Sequence, residues 1–204
     1  GIDKAKTDTG VAIPQDAGSV YANWVVEMGK RDAANSWEQY DAYILDDYSE
    51  LQYYILARVL AMDGRSDKSP DRSDFMPVTD ILGKVTRRCC NKKLVKCHFI
   101  AIAHEEVNKC EITGRVLMTP ILPGRLKGTI SNLFSEVYHC SSTGSSTGAK
   151  FQVQTAPAGL YTKAKTRMAR GGKLDLHEDV TIDWGKPFRS QGLAALARKC
   201  GVTL

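Results

Sequence analysis

The sequence predicts an α/β fold with a mostly parallel sheet and an antiparallel hairpin toward the C-terminus. Two short, nearly continuous apolar runs, residues 42–46 and 95–103, are typical of central strands covered on both faces. Two segments with helical periodicity separate them, so the order strand–helix–helix–strand predicts a right-handed parallel crossover. Residues 136–140 and 150–155 flank a turn rich in serine and glycine, and this pattern predicts the β-hairpin.

Helices are predicted wherever apolar residues recur at helical spacing. After the first strand, Leu51, Ile55 and Val59 repeat at every fourth position. Pro77 lies in the first turn of the next helix, where a missing N–H has no helical partner to lose. The predicted helices cover residues 19–30, 49–62, 77–91, 125–135 and 190–200. Residues 180–184 are expected to form a short strand or a turn.

Length and composition indicate a globular protein rather than a membrane protein. A chain of 204 residues, 43% hydrophobic and 25% charged, fits one domain with a small extension. No apolar run reaches the roughly 18 residues of a membrane span, and the start of the chain is too polar for a signal peptide. The six cysteines lack the short spacings of a zinc site, which favours reduced thiols in a cytoplasmic protein.

Charge is distributed unevenly along the chain. The net charge is −7 over residues 1–80, +7 over residues 81–128, −1 over residues 129–140 and +6 over residues 141–204, or +5 in total. A basic second half suits a polyanion such as a nucleic acid or a nucleotide. The alternative interpretation is a solvated surface of ordinary lysines, and charge alone does not decide between the two.

Acidic residues end and directly follow the first predicted strand, and a histidine follows the second. Asp46 and Asp47 end the first apolar run, and His104 comes just after the second. Open α/β sheets bind ligands at such carboxyl ends, and carboxylates are oxygen ligands that Mg²⁺ prefers. Asp46 is therefore predicted to hold Mg²⁺ through water, with Asp47 or Glu50 polarising an attacking water. The alternative is that these carboxylates cap the following helix.

Four segments of the chain, taken in order, carry a recognisable pattern: residues 43–50, 99–105, 120–127 and 155–170. They contain an apolar strand ending in Asp, a strand followed by His-Glu, a Leu-Pro-Gly-Arg segment before a short helix, and a late Lys-x-Arg. Together they resemble the phage-encoded RecA-like recombination ATPases and the related phage nucleotide-binding proteins. The resemblance extends over residues 10–170.

This resemblance implies a RecA-like P-loop NTPase core with three αβα layers over residues 1–170, followed by a C-terminal extension over residues 171–204. ATP and Mg²⁺ are the implied cofactors. The phosphate-cradling Walker A sequence, G-x-x-x-x-G-K-[ST], does not occur in the 204 residues. In the family, the Walker A strand and loop precede the matching part, so the chain is expected to begin after the second strand of that core.

The resemblance also assigns roles to single residues. His104 corresponds to a residue that senses the γ-phosphate, although a histidine at a strand end also fits a purely structural role. Arg125 and Lys127 correspond to a loop that contacts single-stranded DNA, or else they are solvated cations of a turn. Arg167 and Arg170 resemble a late basic pair that contacts nucleotide, for which the bidentate guanidinium is suited. The alternative for this pair is a solvated helix face.

The implied function is an ATPase that acts on single-stranded DNA as a homo-oligomer in phage recombination or replication, in the host-cell cytoplasm. The alternative is a non-catalytic phage structural or interaction protein that uses the same fold without nucleotide. Trp24, Trp37 and Trp184 are candidates for stacking on bases, although tryptophans more often belong to the core or cover it.

Overall fold

The structure is a computed structural model that describes residues 17–66, 68–109, 113–144, 148–168 and 173–202. The chain divides into two compact units. The first unit runs to Glu106 and includes Thr119–Leu133, and the second comprises Val107–Met118 and Phe134–Leu204. The domain boundary predicted at residue 170 lies outside the described residues and stays a prediction.

The helices and strands are numbered along the chain. The first eight elements are α1 (Ala17–Ala33), β1 (Ala42–Leu45), α2 (Tyr48–Met62), α3 (Phe75–Cys89), β2 (His98–Ala101), β3 (Glu105–Lys109), β4 (Val116–Pro120) and α4 (Leu126–Thr129). The remaining four are β5 (His139–Thr143), β6 (Lys150–Gln154), β7 (His177–Asp179) and α5 (Gly192–Lys199). Short 3-10 helices occur at Ser36–Gln39, Arg72–Asp74, Ile130–Leu133 and Phe188–Ser190.

Every predicted helix has a counterpart, with shifted ends. The second predicted helix matches α2 to within one residue, because Leu51 and Ile55 lie on its buried face as their spacing predicts. The fourth is α4 followed by a 3-10 turn at Ile130–Leu133 rather than one continuous helix. None of the described helices is long and apolar enough to cross a membrane.

Strands β1 and β2 form a parallel pair, as the strand–helix–helix–strand order predicts. Tyr43 lies opposite Phe99, and Leu45 opposite Ala101. Helices α2 and α3 connect the two strands along the chain. The carboxyl ends of β1 and β2 therefore lie side by side at one edge of this pair.

The main hydrophobic cluster of the first unit lies beside this strand pair. Its buried members are Met28, Trp37, Cys89, Val95 and Cys97, with Trp24, Tyr43, Val85 and Phe99 packed against them. Burial raises the pKa of the Cys89 thiol to about 12, so this cysteine stays neutral. The described cysteines are free thiols, of which Cys89 and Cys97 are buried and Cys140 is exposed.

The predicted RecA-like three-layer fold with a mostly parallel sheet is wrong for the described residues. Their strands form three small separate sheets: the parallel pair β1–β2, the antiparallel pair β3–β4, and the antiparallel sheet β5–β6–β7. The apolar strands are not covered on both faces, since Ile44 is 56% exposed and Ile100 is 40% exposed. The later strands pair with one another and do not extend the β1–β2 pair.

The second unit contains the predicted antiparallel hairpin, although its first strand is His139–Thr143 rather than the predicted residues 136–140. In β5–β6, Cys140 lies opposite Val153, and β7 adds a third strand at the outer edge of β6. Gly144 begins the connecting turn with a φ of 102°. A Cβ at this position would lie 2.7 Å from the carbonyl oxygen of Gly148, so the turn requires glycine there.

Candidate functional site

The candidate site lies where the parallel strands β1 and β2 end. The backbone N–H of Ile102 donates to the carbonyl of Leu45 at 3.0 Å, which extends the pairing beyond the strands. The N–H of Tyr48 donates in turn to the carbonyl of Ile102 at 2.7 Å. These bonds hold the first turn of α2 against the segment that follows β2, and this segment carries His104.

Asp47 connects the two strand ends through both of its carboxylate oxygens. It is the N-cap of α2, because Oδ1 accepts hydrogen bonds from the backbone N–H groups of Ser49 and of Glu50, the latter at 3.3 Å. Oδ2 lies 2.8 Å from Nε2 of His104, an ion-pair distance. The Asp47 side chain is only 14% exposed, whereas the His104 side chain is 76% exposed. Asp47 therefore combines the predicted capping role with a contact to the predicted sensor residue.

Two further residues hold His104 in place, and the sequence analysis assigns neither of them this role. The buried hydroxyl of Ser49 accepts a hydrogen bond from the backbone N–H of His104 at 3.0 Å. The carbonyl of His104 accepts from the N–H of Ile121 at 2.9 Å, and the buried Gln52 amide donates to the carbonyl of Ile121 at 3.2 Å. The only sequence signal was the placement of two polar side chains on the buried face of α2.

A cleft of about 260 Å³ opens beside the carboxylates. It is lined by Val20, Tyr21, Trp24, Leu45, Asp46, Asp47, Glu50, Leu51 and Tyr54. The side chains of Asp46 and Glu50 are exposed, and both face this cleft together with Asp47. Tyr21 lines the cleft with a neutral phenol, because burial raises the pKa of this side chain. The lining of the cleft therefore combines aromatic residues with carboxylates.

The carboxylates fit Mg²⁺ better than a metal that needs a closed set of protein ligands. Among the described residues, no three His, Cys, Asp or Glu side chains converge as a metal site would require. Mg²⁺ needs only one or two protein carboxylates, because water and substrate phosphates complete its octahedral shell. Oδ2 of Asp47 is buried and lies 2.8 Å from Nε2 of His104, so it faces the imidazole rather than solvent. Asp46, whose side chain is exposed, is the residue that would hold such a hydrated ion.

The predicted basic loop also belongs to the first unit. Gly124 has a φ of 52°, which turns the chain into α4 after Pro123. The Arg125 side chain is 82% exposed and lies 3.9 Å from Asp80, a long and weak ion pair. Lys127 is 38% exposed, and its Nζ lies 3.5 Å from Oε1 of Glu106. Arg125 is thus the more accessible cation of the two.

The remaining predicted residues lie elsewhere. Arg167 is an exposed residue of the second unit, where its backbone N–H donates to Glu136 at 3.0 Å. Arg170 lies outside the described residues. Of the three tryptophans, Trp37 is a core residue at 1% exposure, whereas Trp184 is 83% exposed.

Comparison of the chain with protein-family models, with curated proteins and with solved structures finds no match. The resemblance to phage recombination ATPases therefore stays a prediction. The function is inferred from the residues at the strand ends.

Proposed function

We propose that the ends of β1 and β2 form the metal-holding and phosphate-sensing part of a nucleotide-hydrolysing site. We further propose that the protein serves phage DNA recombination or replication and acts on single-stranded DNA as a homo-oligomer. The observation that carries the first proposal is the 2.8 Å approach of His104 to Asp47, beside the exposed carboxylate of Asp46. It requires the parallel pair β1–β2, and it does not require an extended parallel sheet.

Asp46 is the residue assigned to Mg²⁺. Asp46 directly follows β1 and is exposed to solvent. Its carboxylate can therefore bind a hydrated cation without breaking a contact inside the protein. When bound, Mg²⁺ would supply positive charge against the phosphate oxygens. Asn at this position would keep the shape of Asp46 and lose the charge that attracts the cation.

Asp47, Glu50 and His104 divide the remaining roles. Asp47 holds the imidazole of His104, and that imidazole is exposed enough to meet a phosphate group. Glu50 lies in the first turn of α2 with its side chain exposed to the cleft, where it can accept a proton from an attacking water.

Turnover of Mg-ATP by the 204-residue chain tests the first proposal. The assay uses millimolar nucleotide, because a sequence without a Walker A loop is expected to bind ATP weakly. We expect Asp46→Asn to abolish Mg²⁺-dependent hydrolysis and to leave thermal unfolding unchanged. The matched control is Asp41→Asn, an exposed Asp just before the opposite end of β1. If Asp46→Asn keeps the turnover of the wild type, the proposed metal site is wrong.

The DNA partner is tested separately at the basic loop. The double variant Arg125→Ala and Lys127→Ala should bind single-stranded DNA more weakly and with a flatter dependence on salt, because fewer cations are then displaced. Unchanged binding of the double variant would remove this loop from the DNA contact.

A non-catalytic interaction protein is the second candidate function. It is favoured by the apolar sheet face of Ile44 and Ile100, which protein contacts would cover. Absence of Mg²⁺-dependent turnover in the wild-type chain would favour this alternative.

A further inference from the structure

A pair of exposed aromatic rings stands out in the second unit. Trp184 is 83% exposed and Phe188 is 62% exposed, although such side chains usually bury most of their surface. Their ring centroids lie 5.7 Å apart, and the ring planes meet at 87°. Because the two rings do not stack on each other, ring faces remain open to a further planar group. We call Trp184 and Phe188 the aromatic pair.

The segment that carries the aromatic pair is held in shape by the side chains of Gln191 and Asp183. The Gln191 amide donates to the carbonyl of Asp183 at 2.8 Å and to the carbonyl of Lys186 at 2.9 Å. Its Oε1 accepts from the N–H of Asp183 at 2.7 Å. The Asp183 carboxylate also accepts from the N–H of Gly185 at 2.9 Å and pairs with Lys186 at 3.0 Å. The turn is thus internally bonded while its two large rings face solvent.

The net charge of the second unit indicates which class of ligand binds near the aromatic pair. The unit contains 12 Lys/Arg and 6 Asp/Glu, a net charge of +6, whereas the first unit contains 16 and 17, a net charge of −1. Several of its cations are exposed, including Lys150, Lys163 and Lys173. A polyanion is therefore drawn to this unit in preference to the other.

We propose that the aromatic pair is a stacking platform for the bases of a single-stranded nucleic acid, whose phosphates meet the basic surface of the second unit. Every base has a π face, so stacking on Trp184 tolerates any sequence. A rigid turn lowers the entropy that would be lost on binding. This inference rests on the proposed single-stranded DNA partner and is independent of the nucleotide site at the ends of β1 and β2.

The test uses the full chain and a fluorescently labelled oligothymidylate about 16 nucleotides long, within the usual range of site sizes. Fluorescence anisotropy at low salt should show Trp184→Ala binding about 5-fold to 150-fold more weakly than the wild type. Trp184→Phe should keep most of the affinity, because it keeps an aromatic face. The matched control is Tyr53→Ala, which removes an aromatic residue, 52% exposed, from the first unit and should bind as the wild type does.

Three results would overturn the platform. Equal binding by the wild type and Trp184→Ala would exclude stacking on this ring, even if the Arg125→Ala and Lys127→Ala variant binds weakly. Equal losses in Trp184→Ala and Tyr53→Ala, when both variants unfold at the wild-type temperature, would show that Trp184 has no special part in binding. Binding to anionic phospholipid vesicles without binding to the oligonucleotide would identify a membrane-surface site instead. Retained Mg-ATP turnover in Trp184→Ala would show that a loss of DNA binding is separate from the nucleotide site.

Discussion

Substitution of Asp47 separates its capping role from its contact with His104. Asp47→Ala removes the Oδ1 acceptor of the N–H groups of Ser49 and Glu50. Loss of an N-cap costs about 1 kcal/mol, within a range of about 0.5–2 kcal/mol, so the free energy of unfolding should fall by this amount. For a chain of this size, about 1 kcal/mol corresponds to roughly 2–4 °C in the unfolding temperature. Asp47→Asn keeps an acceptor oxygen and should unfold within a degree or so of the wild type.

Asp47→Asn and Asp47→Ala should differ in stability and yet be impaired alike in turnover. Both Asp47→Asn and Asp47→Ala lose the carboxylate charge at 2.8 Å from Nε2 of His104, so both should hydrolyse Mg-ATP more slowly than the wild type. Thermal unfolding followed by far-ultraviolet circular dichroism measures the first effect, and phosphate release measures the second. Asp41→Ala is the control, since it removes an exposed Asp near the other end of β1. An Asn variant as unstable as the Ala variant, or one with full turnover, would refute the division of roles.

Three further predictions concern affinity, acid stability and packing. Isothermal titration should give a dissociation constant for Mg-ATP weaker than about 10 μM, or roughly −7 kcal/mol, because the sequence has no Walker A loop; tighter binding would reveal another phosphate site. Hydrogen bonds from Arg65 lower the pKa of the buried Asp74, so its stabilising effect is present above a pH of about 4 and is lost as the pH falls through the lowered pKa. Asp74→Asn should therefore lower the unfolding temperature at neutral pH, and the difference from the wild type should disappear in acid; a constant difference would contradict the pairing. Ile55→Ala, at 0% exposure, should cost about 2–5 kcal/mol in denaturant unfolding, whereas Ile44→Ala, at 56% exposure, should stay within about 0.5 kcal/mol, and equal costs would contradict the packing.

The helices were predictable because their signal is local. Leu51 and Ile55 are four residues apart, so one turn of helix brings them to the same face whatever the rest of the chain does. The parallel pair β1–β2 was predictable for a related reason, since a strand–helix–helix–strand order leaves few ways to return to the sheet. The hairpin β5–β6 was predictable because a glycine-containing turn separates a short strand from residues 150–155, which alternate with period two.

The extent of the sheets was not predictable in the same way. An apolar run such as that around Ile44 looks the same whether a neighbouring layer covers it or water does, and here its side chain is 56% exposed. Strand neighbours are set by contacts between distant residues, which one sequence does not display. The hydrogen bond from His104 to Ser49 was not predictable either, because it joins residues that are 55 positions apart in the chain. The candidate site residues could nevertheless be selected from the sequence, because polar residues after apolar strands are a local signal. They are Asp46, Asp47, Glu50 and His104.

A double-mutant cycle on Asp47 and His104 tests the central claim, that the ends of β1 and β2 work as one hydrolytic site. Turnover of Mg-ATP is measured for the wild type, Asp47→Asn, His104→Gln and the double variant. If Asp47 acts by holding His104, the double variant should be no slower than the slower single variant, because residues that act as a unit are not additive. Losses that multiply, or a wild type without Mg²⁺-dependent turnover, would contradict the claim.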